Sequence, residues 1–327
     1  MDRGPIFVAG LERSGTSLMY ALLASHPNIA MTRRTNLWTH FYDQFGDLSD
    51  PANLDRCIQT MMRYRRLLLL QPDPQRLRKE FALGEPSYPR LFALLEEQYA
   101  EHLGRPRWGD KSLNTERYAE QILAAYPGAR ILHMIRDPRD RYASSKTRWG
   151  VRRGGVGAGT AEWLASVRLA LRNERRYADR YRTVRYETLV CEPEHTVREI
   201  CLFVDEPFET DMLSMRGAPR LLEKGSNSSY GSREPGVIST DSIGRFRQVL
   251  SPRQIAFIER KAAREMATFD YPAEIDGLGT GQRLRFTVTD LPWESARLEA
   301  WRLRERLRDR RGRPVPSYRM VEGDAPS

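Results

Sequence analysis

Gly10-Leu11-Glu12-Arg13-Ser14-Gly15-Thr16-Ser17 has two glycines at the separation of a phosphate-binding loop, directly after the apolar run 6–9. A turn of this kind presents backbone N–H groups, and the helix behind it points its positive end the same way, so it suits an anion. Thr16 follows Gly15 where a nucleoside-triphosphate loop has the lysine that reaches the β/γ-phosphates. Arg13 instead places its charge inside the loop.

The second cluster is Arg136-Asp137-Pro138-Arg139-Asp140, immediately after the apolar run 131–135. Ser144 follows on the next predicted helix, with Arg148 one turn further on the same face. A guanidinium fork beside a hydroxyl suits a second phosphate. One phosphate loop and a separate Arg/Ser pair together imply a nucleotide with phosphates at opposite ends of its ribose, a 3′,5′-bisphosphate. Bound alone, either cluster is also explained as a tight turn or a salt-bridged surface loop.

Positioning both clusters requires a parallel sheet, because residues at the carboxyl ends of its strands line one crevice. Runs 6–9 and 131–135 read as buried strands, with shorter ones at 107–109 and 183–186. Helices are expected at 18–24, through much of 53–103, and at 116–126, 160–180, 193–203 and 252–268. Gly154 to Gly159 holds four glycines in six residues and reads as a mobile loop. His133, inside an apolar strand, reads as a core histidine. The expected fold is α/β, a P-loop-like parallel sheet flanked by helices with a helical C-terminal arm. The division is 1–275 for the main domain and 276–327 for the arm. Trp293, Ala296, Ala300, Leu303 and Leu307 fall on one helical stripe of that arm, which is expected to pack on the body or on a second subunit, leaving a homodimer open.

Of 53 basic residues 48 are Arg, so a Lys inside a motif stands out. The formal charge is +10, and residues 297–313 carry eight Arg against three acids, half of that excess. Such a balance favours an anionic ligand; a nucleic-acid or membrane-surface role for the arm is the rival of a different class. Three unevenly spaced cysteines argue against a disulfide framework or zinc site and fit a reducing compartment. The longest apolar run is far short of the roughly 20 residues of a membrane span, and strand-like sequence starts too early for a signal peptide. A cytoplasmic protein with no transmembrane segment is the expectation.

With these motifs in hand the chain resembles the PAPS-dependent sulfotransferase superfamily, closest in style to bacterial members and the tyrosylprotein branch. PAPS is 3′-phosphoadenosine-5′-phosphosulfate, and PAP is the bisphosphate left after transfer. Arg13, Ser14, Gly15, Thr16 and Ser17 are similar to the family's 5′-phosphosulfate loop. Arg136, Ser144 and Arg148 are similar to its 3′-phosphate motif, and Tyr186 to a tyrosine near the adenine. Lys111 in Trp108-Gly109-Asp110-Lys111-Ser112 resembles a catalytic lysine, and Ser239 with Arg245 a late nucleotide-closing segment. The resemblance covers about residues 5–272 and implies transfer of a sulfuryl group from PAPS to a hydroxyl or amine without a metal. The acceptor is left as a small molecule, lipid, glycan or peptide, with no nucleic acid expected. Arg13 and Lys111 are the expected catalytic cations. Similar branches keep a glutamate as general base soon after a His-Pro pair, but after His26-Pro27 this chain reads Met31-Thr32-Arg33-Arg34-Thr35-Asn36. Glu85 is the first substitute base, with His40 and Asp43 behind it, and stretches near 33–45, 85–95 and 150–160 are expected to face the acceptor. A P-loop small-molecule kinase and a PAP-binding homologue without activity are the alternatives.

Overall fold

The computed structural model describes residues 3–150, 154–218, 237–274, 278–311, 313 and 315–321. Five parallel strands, β1 Ile6–Gly10, β2 Ile29–Arg33, β3 Arg107–Lys111, β4 Arg130–Ile135 and β5 Tyr181–Arg185, form one sheet in the order β2-β3-β1-β4-β5. Every residue of β1 is buried because both faces of the sheet are covered, which is why its sequence is uninterrupted apolar rather than alternating. Phe7 and Ala9 enter one core with Trp38, Phe92 and Trp108, whereas Ile6 and Val8 enter the other with Leu18, Met19 and Leu132. The expected α/β sheet with helices on both faces is what forms. Strand β2 had no distinct signal beside the His-Pro pair.

Register sets the working edge. Gly10 pairs with Met134 and Arg33 with Lys111, so the strands' carboxyl ends finish together. The chain leaves β1 for β2 on one flank and leaves β4 for β5 on the other. Their loops diverge, and a crevice opens between two adjacent strands. Helix α1 (Thr16–Ala24) starts directly behind the first loop. Helix α2 (Pro138–Trp149) starts behind the second, with Pro138 at its first turn and Asp137 accepting from Arg139 N at 2.8 Å. His133 is fully buried and bonds Tyr181 Oη at 2.6 Å and Ser166 Oγ at 3.0 Å; burial lowers its proton affinity.

The glycine-rich stretch is not a mobile loop but the first turn of helix α3 (Gly155–Arg176). Gly155 and Gly157 let the last helix, α4 (Leu291–Arg311), approach closely: a Cβ at Gly157 would stand 2.0 Å from Glu294 O. Gly157 N also donates to Glu294 Oε2 at 2.8 Å. The arm therefore lies along the body, with Leu298 buried and Trp301 packed against the α3 core. It does so through a different stripe from the one expected. Trp293, Ala296, Ala300, Leu303 and Leu307 are all exposed, while Leu291, Glu294, Leu298, Trp301 and Glu305 face inward with the same spacing. Both inward glutamates are satisfied, Glu294 by Gly157 and Glu305 by Arg117 at 3.0 Å and by Arg313. Among the described residues no helix is long and apolar enough to cross a membrane.

The close approach predicts that Gly157→Ala lowers stability by about 1–3 kcal/mol, the usual cost of overpacking. A denaturation midpoint unchanged from the parent would mean that α4 does not bear on that helix as described.

Candidate active site

A cavity of about 350 Å³ opens at the carboxyl edge of the sheet, lined by the first loop, the start and end of α2, Lys111, Tyr186 and the stretch 237–245. Arg13, Gly15, Thr16, Ser17, Arg136, Ser144, Arg148, Tyr186, Ser239, Arg245 and Lys111 all line it. Ser14 is buried in the turn, its N–H donating to Leu11 O at 3.2 Å. Glu85 is exposed and does not line the cavity; neither does exposed Asp43. Of the three stretches expected to face an acceptor, only the first contributes described lining residues, Arg34 and Asn36. Most of the stretch 85–95 belongs to the helix Tyr88–His102, whose buried face joins the core.

The loop geometry explains its residues. Gly15 has φ 91, a left-handed conformation that disfavours a side chain, and a Cβ there would stand 2.5 Å from the Tyr186 ring. Tyr186 follows β5 directly and begins a short helix, so the end of β5 delivers its ring over the loop. Arg136 enters from the end of β4, its guanidinium 4.5 Å from the Tyr186 ring centroid. Its Nη1 donates to Arg13 O at 3.1 Å and its Nη2 to Ser242 O at 2.6 Å. Arg13 Nε in turn donates to Ser144 Oγ at 2.9 Å. The two sequence clusters are therefore bonded to each other and share one cavity.

The cations crowd. Burial lowers the Arg13 proton affinity, and Arg136 and Arg148 lower it further. Lys111, 2% exposed at the end of β3, is pushed down to about 7 by burial and then by Arg34 and Arg33. Its neighbour Asp110 points elsewhere, accepting from Thr32, Thr35 and Ser112 hydroxyls at 2.8–3.1 Å. Arg136 Nε is buried with no hydrogen-bond partner among the described residues. A buried donor in that state costs free energy until an acceptor reaches it.

Two acids line the cavity among the described residues, Glu12 and Asp140. Asp140 is committed to the backbone of the segment after Ser242, accepting from Gly244 N at 2.7 Å and Phe246 N at 2.8 Å. Glu12, inside the first loop, lies near enough to Lys111 to raise its proton affinity. Sequence reading passed over Glu12 because it sits among residues assigned to phosphate binding. His40 is engaged at both ring nitrogens: Nε2 accepts from Arg319 at 3.0 Å, so Nδ1 is the one that donates to Arg313 O at 2.9 Å. Among the described residues no three His, Cys, Asp or Glu side chains converge as a metal site.

The chain belongs to the sulfotransferase family: the model described as "Sulfotransferase family" matches residues 5–210. The chain is 25% identical over 214 residues to the protein-tyrosine sulfotransferase of Drosophila melanogaster, a match covering 64% of this chain and 39% of the relative. Against protein-tyrosine sulfotransferase A of Caenorhabditis elegans identity is also 25%, covering 64% of this chain and 51% of the relative. The chain thus spans about half or less of these curated relatives. Among solved structures it shares its fold with the sulfotransferase domain of the Synechococcus PCC 7002 olefin synthase, at TM-score 0.58 and 22% identity over 82% of this chain and 94% of that one. The sulfotransferase domain of the curacin biosynthetic pathway gives TM-score 0.57 and 18% identity over 82% and 98%.

With only five lysines in the chain, the Lys111 side chain is open to isotope-edited NMR titration. Its midpoint is expected near about 7. Arg34→Met removes a like charge and should move the midpoint up. A midpoint at the ordinary lysine value in the parent protein would overturn the account of this end of the cavity.

Proposed function

We propose that the chain transfers a sulfuryl group from PAPS to an acceptor hydroxyl or amine and releases PAP. The observation that carries this reading is the bonded pair of clusters: Arg136 joined to the Arg13 carbonyl, and Arg13 joined to Ser144, around one cavity. Arg13, Ser14, Gly15, Thr16 and Ser17 would hold the 5′-phosphosulfate, and Arg136, Ser144 and Arg148 the 3′-phosphate. Tyr186 would lie near the adenine, and Ser239 with Arg245 would close over the nucleotide.

In the proposed displacement the acceptor oxygen forms a bond to sulfur as the bridge from sulfur to the phosphate oxygen breaks. Negative charge grows on that bridging oxygen. Fixed cations aimed at it stabilise the transition state more than the ground state. Arg13 and Lys111 fill this role, aided by the positive end of α1. An arriving anion raises the proton affinity of Lys111, so this side chain meets the donor as an ammonium. The acceptor proton needs a base, and Glu12 is the acid we assign, because it lines the cavity beside Lys111 whereas Glu85, His40 and Asp43 do not line it. A hydroxyl is the acceptor that most needs this help; the tyrosine sulfotransferase relatives support a phenolic or peptide acceptor. Phosphoryl transfer from ATP is disfavoured by Thr16 at the position of the missing loop lysine.

PAP should raise the melting temperature of the protein, whereas ATP with magnesium should not; the reverse result would replace this reading with the kinase. Lys111→Ala and Glu12→Gln should each lower kcat by roughly a hundredfold or more while PAP still binds. Radiolabelled transfer from PAPS into extracts supplies the assay, and near-parental kcat in either variant would remove that residue from the mechanism.

A further inference from the structure

The cavity holds more positive charge than a bisphosphate nucleotide requires. Arg13, Arg136, Arg148 and Arg245 belong to the donor end, but Arg34, Arg66 and Arg319 line the same cavity beside Asn36, Leu113 and Lys111. They come from three remote parts of the chain. Arg34 follows β2 with φ 60, its N–H held by Lys111 O at 2.7 Å. Arg66 lies in the short helix Arg65–Leu68. Arg319 comes from the C-terminal arm. The arm is fastened there on purpose-built contacts: Met320 bridges Tyr64, Val321 N donates to Arg63 O at 2.8 Å, and Arg65 Nε donates to Met320 O at 3.2 Å. The His40 ring, bonded to Arg313 O and to Arg319, fixes the segment's approach.

Three half-buried guanidiniums line one cavity beside a buried lysine whose proton affinity Arg34 lowers, and an anion reaching that end of the cavity would meet charge-assisted donors from three separate parts of the chain. We propose that Arg34, Arg66 and Arg319 form an anion subsite for the acceptor, so that the acceptor carries a carboxylate or phosphate near its nucleophile. The C-terminal segment is then part of the active site, and Arg319 is its contact with substrate. Arg34 attracts the acceptor where a glutamate in that place would deprotonate it. This inference rests on the sulfuryl-transfer reading, because that reading assigns the other four arginines to the donor.

The test uses the full chain saturated with PAP and calorimetry with matched probes. These are para-hydroxyphenylacetate, para-hydroxybenzylphosphonate and the neutral para-hydroxyphenylacetamide. At least one charged probe should bind about tenfold or more tighter than the amide, the scale of one or two charge-assisted hydrogen bonds. Whichever charged probe binds more tightly identifies carboxylate or phosphate as the group. In Arg66→Gln and Arg319→Gln that preference should fall toward parity, while PAP affinity stays within about twofold, which also reports that each variant is folded. Equal binding of all three probes, binding of none, or a preference intact in both variants overturns the subsite. Failure of the parent protein to bind PAP is read separately, before any probe is added, and would take down the donor reading as well.

Discussion

Arg136 is the group on which the site depends. It ends β4, it is 6% exposed, and it donates to the backbone of two other segments, at Arg13 and at Ser242. Its own carbonyl is held by Trp163 Nε1 at 2.8 Å, so helix α3 fixes the arginine from behind. The Gly10–Gly15 turn, the segment around Ser242 and the Tyr186 ring are thereby arranged around one cation. Placing a charge here is costly unless its hydrogen bonds are met. Two of its nitrogens are met by carbonyls, and nearby Asp140 offers compensating charge. What remains, at Nε, is the demand that a ligand phosphate would satisfy.

The order of the sheet makes that arrangement possible. Because β1 and β4 are neighbours whose chains depart in opposite directions, the Gly10–Gly15 turn and Arg136 meet without any long connection between them. Lys111 is brought to the same edge by β3 on the other side of β1. Three adjacent parallel strands therefore deliver one element each: the loop, the lysine and the arginine. Each strand is buried on both faces, which gives the cluster a rigid base.

These parts were legible in the sequence for a physical reason. A buried central strand, a glycine turn and a helix leave a continuous local pattern, and so does an arginine placed just after an apolar run. The arm was legible only as a helix. Its two stripes have identical spacing, and the inward one contains Glu294 and Glu305 where a hydrophobic-face argument looks for apolar residues. Only the tertiary partners, Gly157 N–H and the arginines 117 and 313, make those glutamates acceptable inside. The approach of Glu294 also explains Gly155 and Gly157, which local reasoning takes for flexibility. Strand β2 was hidden too. Glu85 looked suitable by type and neighbours, yet its turn is exposed and outside the cavity lining, and no local signal reveals that.

Crowded cations also tie stability to function. Burial and like charge lower the proton affinities of both Arg13 and Lys111, which means the ligand-free protein holds them at a cost. A folded-state Lys pKa below its unfolded value makes the folded chain bind fewer protons, so this cost is full below about 7 and declines as pH rises from there toward the ordinary lysine value of 10.5. An anion acts in the opposite way: it restores the lysine's proton and removes the repulsion together. Ligand binding at a hundred times its Kd adds about 2.7 kcal/mol of stability. On the proposed reading the acceptor end follows the same logic, because a donor alone would leave Arg34, Arg66 and Arg319 without an anion. Arg319 then couples the fastening of the arm to the filling of the cavity: its bond to His40 holds the arm, and its guanidinium lines the space where the acceptor's charge would arrive.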